Sequence, residues 1–212
     1  MISTAADSVI IPFRRNRLLQ GLTAAFAIAW LALAIAPGNR FDWFLENLLV
    51  VIGVGLLGFY YRSRPLSDLS YILIALFLTL HVVGSHYTYS QVPFGFWLQD
   101  VFGQERNHFD RIVHLCFGIL IVYPVREDLS RYTGAGRGLS GFAAFTVIAT
   151  SSLIYETIEW GTAIVISPDA AMAFLGTQGD VFDAQKDSTL AVGGSFLGLL
   201  ATRRAFKPRH AG

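Results

Sequence analysis

Hydrophobic positions gather in six runs, residues 18–36, 43–61, 69–87, 109–125, 141–166 and 183–202, and polar, basic and glycine-rich stretches separate them. Most of these runs have the length an α-helix needs to cross a hydrocarbon layer of about 30 Å at about 1.5 Å per residue. The sixth opens differently. Asp180, Asp183 and Asp187 stand at i, i+3 and i+7, on one helical face, and the apolar remainder from Leu190 to Ala201 amounts to only about 18 Å of helix. The fourth run likewise carries Asp110 and His114 at its start and is too short to cross from Leu115 to Val125 alone. The pattern predicts an all-α fold, a polytopic transmembrane helix bundle of about six spans, with carboxylates and imidazoles inside one leaflet. Unpaired charge is costly there.

Composition strengthens this picture, because 53% hydrophobic against 15% charged residues in a chain of 212 exceeds what a soluble domain requires. The net charge of +1 conceals a segregation. Arg14, Arg15, Arg17, Arg62, Arg64, Arg126, Arg131, Arg137, Arg203, Arg204, Lys207 and Arg209 mark one side of the membrane, and only Arg40, Arg106, Arg111 and Lys186 fall on the other. The positive-inside rule then places both termini in the cytoplasm. The organisation predicted is a cytoplasmic segment over 1–17, one transmembrane domain over 18–202 and a basic cytoplasmic tail over 203–212. Ala34-Ile35-Ala36 resembles a signal cleavage site, but Pro37 and the length of the run before it make this a membrane anchor. Nothing in the charge balance points to nucleic acid, and a single cysteine, Cys116, excludes an intramolecular disulfide framework. The longer loops, 88–108 and 167–182, face outward; Tyr89, Phe94, Phe96 and Trp97 in the first suit a headgroup belt. Gly194 and Gly198 align with Ala191 and Asp187, predicting close helix packing on the aspartate face.

Three runs carry paired polar groups at one inferred depth. Asp110 and His114 are i, i+4, Glu156 and Glu159 are i, i+3 beside Ser152 and Tyr155, and Asp183 and Asp187 are i, i+4. The third run adds His81 and His86, of which His86 is nearer the outer end. Carboxylates with imidazole and no thiolate suit a divalent metal such as Zn, Mn or Fe. The expected metal ligands are His86, His114, Asp110, Asp183 and Asp187; Glu156, Glu159, Asp110 and Asp187 are the expected catalytic groups, a glutamate serving as general base to a metal-bound water. A purely structural assignment stays open beside this one: His114 bonded to Asp110, Glu156 to Ser152 or Tyr155, Asp180 as a helix cap, and Arg111 paired with an acid.

With these residues in place, the chain resembles the uncharacterised bacterial inner-membrane family typified by YjdF. The likeness lies in Asn107 to His114 (NHFDRIVH), Tyr155 to Trp160 (YETIEW) and Phe174 to Asp187 (FLGTQGDVFDAQKD), within a region from Asp42 to Leu200. It implies a multi-pass protein of the bacterial inner membrane, without an activity. A more distant, pattern-level likeness runs to VanZ-type proteins. The leading functional expectation is a membrane-embedded, metal-dependent, hydrolase-like enzyme open to the extracytoplasmic side and acting on a lipid-linked or envelope small molecule. A proton- or cation-coupled transporter and a non-catalytic membrane interaction protein are the alternatives. The lipid bilayer is the partner implied throughout; oligomeric state stays open.

Overall fold

A computed structural model describes residues 11–206, excluding the side chains of residues 169, 170 and 173. Lys207 and Arg209, used above for topology, lie outside the described residues. After a 3-10 turn at Phe13–Arg15 the helices are α1 Arg17–Leu33, α2 Arg40–Tyr60, α3 Asp68–Tyr87, α4 Pro93–Phe102, α5 Phe109–Thr133, α6 Arg137–Val165, α7 Pro168–Leu175 and α8 Asp183–Ala201. No strand occurs among the described residues. The six predicted runs are α1, α2, α3, α5, α6 and α8. The loops expected at 88–108 and 167–182 each contain an additional short helix, α4 and α7.

By length and composition, α2, α3 and α6 are each able to cross a membrane, and α1 is a shorter apolar helix. Burial is inverted relative to a water-soluble protein. Ile28, Leu31, Val51, Phe59, Phe142 and Leu153 are exposed, while Asp42, Glu46, Asn47, Glu127 and Asp187 are buried. A hydrocarbon surround makes the first set favourable, and interhelical polar contacts satisfy the second. Asn47 shows how. Its side chain accepts from Trp30 of α1 at 2.6 Å and donates to Ser85 of α3 at 3.2 Å, so that one amide joins α1, α2 and α3.

At the centre lies α5, packed on α3, α6 and, most extensively, α8. The last pair is in backbone contact. A Cβ at Gly118 would strike the Ala191 carbonyl, one at Gly194 the Leu115 carbonyl, and one at Gly198 would lie 2.5 Å from the Ile119 carbonyl. The predicted small-residue face is therefore the contact face: Asp187, Ala191, Gly194, Ser195 and Gly198 are all buried on α8. Close approach of this kind is what small residues permit in a membrane, where lipid is as apolar as leucine. Val122, Ala144, Ile148 and Ala191 form a dry layer across the middle of α5, α6 and α8.

Below that layer is an end rich in arginine. Glu127 is fully buried and accepts from the Ser67 N–H at 2.9 Å, from the Ser67 hydroxyl at 2.7 Å, from Ser70 and from Arg131. Arg64 pairs with Asp128 at 3.0 Å, and Arg126 lies over the Phe206 ring at 3.9 Å. These contacts explain why α5 continues to Thr133, past the apolar run that ended at 125: its last two turns bury polar groups rather than apolar ones.

Candidate functional site

Above the dry layer, five helices bring acids and imidazoles together. On α5, Asp110 and His114 project from successive turns of one face, as their i, i+4 spacing requires. Because α8 lies against α5 at van der Waals distance, Asp183 and Asp187 in its first two turns meet that face. Donor atoms of Asp110, His114 and Asp187 all lie within 4.8 Å of one another. His114 Nε2 is 3.6 Å from Asp110 Oδ1 and 3.3 Å from Glu156 Oε1 on α6. Asp187 Oδ1 and Glu156 Oε1 are buried without a hydrogen bond, the first 4.0 Å from Arg111 Nε and the second 3.3 Å from His114 Nε2, so neither has its acceptor capacity filled.

A second group adjoins the first. Tyr155, one residue before Glu156, donates its hydroxyl to Glu46 Oε2 on α2 at 2.7 Å. His81 of α3 has Nε2 at 3.2 Å from the Glu46 carbonyl and at 3.8 Å from its carboxylate. At 2.7 Å from His81 Nδ1 is the hydroxyl of Tyr89, folded back by left-handed Thr88 and Tyr89, φ 55° and 43°, so that its ring covers Gly84. Glu159 follows Tyr155 and Glu156 by one turn of α6, on the face that they share.

Arginines close the rim. Asp183 receives Arg106 at 2.6 Å and Arg111 at 3.3 Å, and Asp180 receives Arg111 and Lys186, each at 2.5 Å. Lys186, the Phe182 N–H and Arg111 hold the Asp180 carboxyl below the usual carboxylate range. Partial burial, then the charges of Arg111 and Arg106, push the His108 imidazole down. Asn107 and Gln178 exchange a reciprocal pair of hydrogen bonds, both at 3.0 Å, and Arg106 donates to the carbonyls of Thr177 and Gly176. Two of the motifs singled out in the sequence, residues 107–114 and 174–187, are thus a single zipped unit that seats α8 against α5.

The structure brings Asp110, His114, Asp187, Glu156 and Glu159 together, as their spacing predicts. Two expected ligands take other partners. Asp183 is engaged by Arg106 and Arg111, whose cationic forks match its carboxylate better than a further cation would. His86 lies apart, its Nδ1 2.8 Å from the Leu33 carbonyl at the end of α1, where it satisfies a helix terminus. His81, not His86, is the α3 imidazole at the site. Asp180 is not a side-chain cap of α8 itself; its Oδ1 accepts from Phe182 N–H at 3.1 Å, just ahead of the helix. Glu46, His81 and Tyr89 were not among the expected site residues. Asp42 and Glu46 at i, i+4, buried beside exposed Phe41, Phe44 and Leu48, carry the same signal as the other pairs.

These groups border a cavity of about 340 Å³ among α2, α3, α5 and α6, with Asp110, His114, His81, Tyr89 and Tyr155 at its polar end.

Comparison with known proteins agrees with this membrane architecture. A family described as predicted membrane protein (DUF2238) matches residues 18–208. The inner membrane protein YjdF of Escherichia coli (strain K12) is 37% identical over 169 residues, 79% of this chain and 78% of that protein. No solved structure matches. The VanZ-type likeness gains no support from these comparisons.

Proposed function

This chain belongs to the DUF2238 family of predicted membrane proteins, and from that premise we propose an integral protein of the bacterial inner membrane that binds a divalent metal through Asp110, His114 and Asp187 and hydrolyses a lipid-linked or envelope substrate. The observation that carries the reading is the convergence of three donor atoms within 4.8 Å from two helices whose backbones touch. Metal–ligand bonds of about 2.0–2.2 Å bring donor atoms somewhat closer than this, a contraction that rotation of the carboxylates supplies. Two carboxylates and one imidazole suit Zn, Mn or Fe and leave a coordination position for water. A metal held there would supply an activated water; Glu156, 3.3 Å from His114 Nε2, would be the general base that takes its proton, and a protonated Glu159 would give a proton to the leaving group, both glutamates then re-equilibrating with solvent. We take the orientation from the arginine distribution, with the acidic end of the bundle extracytoplasmic, six spans and both termini in the cytoplasm; three of those spans, α2, α3 and α6, have the length and composition to cross on their own.

A proton- or cation-coupled carrier is the second reading, favoured by two hydrogen-bonded pairs, Tyr155–Glu46 and Tyr89–His81, that approach each other where His81 Nε2 lies 3.8 Å from the Glu46 carboxylate. Such a carrier requires passage to the other face, and the layer of Val122, Ala144, Ile148 and Ala191 separates the site from Glu127. That layer favours a one-sided site. Elemental analysis of the purified, detergent-solubilised protein tests the choice, beside His114→Ala and Asp187→Ala variants with intact folding. Stoichiometric metal in the parent and its loss in both variants is the expected result. A parent that stays metal-free after incubation with Zn, Mn and Fe salts removes the metalloenzyme reading.

A further inference from the structure

The cavity beside this site is graded along its length. On α5 its lining passes from Asp110 and His114 to Val113 and Phe117; on α3 from His81 to Phe77 and Leu78; on α6 from Tyr155 to Ser152 and Ser151; and on α2, just below Glu46, it meets Leu49 and Val50. On all four helices the polar end is the end of the bundle that carries the acids. One side of the cavity is incompletely walled. While α2 packs along α3 and α6 along α5 and α8, α2 and α6 meet across the cavity through the Tyr155–Glu46 hydrogen bond. Leu49, Ile154 and Ile158, which line the cavity on those two helices, are 43%, 53% and 52% exposed. In a bilayer that exposure is to acyl chains and not to water.

An independent observation concerns Ser152. It is 2% exposed, it lines the cavity, and its hydroxyl has no hydrogen-bond partner. A buried hydroxyl without a partner costs free energy unless something supplies one. It sits about one helical turn below Tyr155, between the polar head of the cavity and its apolar body. A lipid carries its ester or amide carbonyl at that same junction.

We infer that the cavity takes an acyl lipid that enters sideways from the leaflet through the gap between α2 and α6, its chain against Phe77 and Phe117, its linkage carbonyl accepting from Ser152, and its head at Asp110 and His114. The head is neutral or cationic in the metal-free protein. Asp110, Glu156 and Asp187 surround His114 there, Glu46 adjoins them through Tyr155, and the neighbouring Arg106 and Arg111 are already engaged by Asp180, Asp183 and Asp187. A volume of about 340 Å³ lies at the small end of ligand pockets, about 300–1,000 Å³, and accommodates part of one chain rather than two. This inference names the substrate class of the hydrolase proposed above and rests on that reading for its chemistry, although not for binding itself.

The test places benzoylphenylalanine, which extends the ring by a benzoyl group into the cavity, at Phe77 in the full chain in native-lipid vesicles treated with chelator. Phe117 is substituted in a second variant, and lipid-facing Phe142, 69% exposed, serves as the bulk-lipid control. Irradiation is expected to give lipid adducts at Phe77 and Phe117. Added 1-palmitoylglycerol should suppress them at concentrations that leave the Phe142 adduct unchanged, whereas 1-palmitoyl lysophosphatidic acid, identical apart from its phosphate, should not. Ser152→Ala should weaken the competition by 1-palmitoylglycerol roughly 2- to 10-fold. Crosslinks only within the protein at both positions, or equal competition by the two lipids, would overturn the inference. Metal content measured on parallel preparations of the same variants made without chelator separates the two claims. Adducts in a protein that binds no metal leave the lipid site standing and remove the hydrolase; bound metal without adducts does the reverse.

Discussion

Gly118→Ala adds one methyl group where α5 meets α8. Its Cβ would fall against the Ala191 carbonyl, 2.6 Å from the Ser195 nitrogen and 2.9 Å from the Gly194 carbonyl carbon. All three neighbours are backbone, so no side-chain rotation relieves the overlap. Moving the Ser195 nitrogen from 2.6 Å to the 3.4 Å of ordinary contact alone requires a separation of about 0.8 Å, and the closer Ala191 carbonyl requires more. Gaps of about 0.5–1 Å forfeit a quarter to a half of each dispersion contact they open, and this is the most extensive helix pair in the molecule. Overpacking of this kind costs about 1–3 kcal/mol, and the upper part of that range is expected. For a chain of this size the loss corresponds to a Tm lower by roughly 4–12 °C. Gly193→Ala is the paired control, because nothing lies within 4 Å of its added Cβ; unfolded chains in micelles keep much of their helix, so its effect is expected between zero and about 1 kcal/mol of stabilisation. Thermal melts in detergent, followed by size-exclusion recovery, measure both. Equal melting of the two variants would refute the backbone contact between α5 and α8, and with it the positioning of Asp187 against Asp110.

Removing the Glu127 carboxylate by Glu127→Ala should leave two serine hydroxyls without their carboxylate acceptor and Arg131 without its ion-pair partner, and destabilise the protein by about 3–5 kcal/mol, read in the same melts. Asp180 titrates below its ordinary value in the folded protein, so its contribution is fully present above about pH 4 and is lost as pH falls toward the folded value; Asp180→Asn should flatten that acid limb of the stability profile, and an unchanged limb would show that the contacts to Lys186 and Arg111 contribute nothing. His86→Ala should retain metal in elemental analysis while costing about 1 kcal/mol from the α1 terminus it satisfies; metal lost from a folded His86→Ala protein would place His86 at the site after all.

The six apolar runs became helices because hydrophobic length is read directly from the chain, and the glycine and aspartate face of α8 because 3.6-residue periodicity aligns positions within one helix. Relations between helices were less accessible. Choosing His86 over His81 followed depth along α3, whereas the Leu33 carbonyl that holds His86 belongs to a helix 53 residues away. Asp183 has ideal spacing for a ligand, yet Arg106, 77 residues earlier, reaches it across the zipped loops. Helices α4 and α7 are 10 and 8 residues long, too short for a periodic signal to separate from an aromatic or polar loop. Glu46 is a counterexample: its pairing with Asp42 was as visible as that of Asp110 with His114, and only the partner on α6 was not.

The seating of α8 in α5 also divides the site by mechanical role. Asp110, His114 and Asp187 stand on two helices in backbone contact, so the main-chain positions from which their side chains extend belong to a fixed frame and only the side chains turn. Glu156 and Glu46 stand on α6 and α2, which face each other across open volume and are joined there through Tyr155. Any opening of the site is therefore a motion of α2 or α6 against a stationary anvil, and the Tyr155–Glu46 hydrogen bond is the latch that such a motion must release.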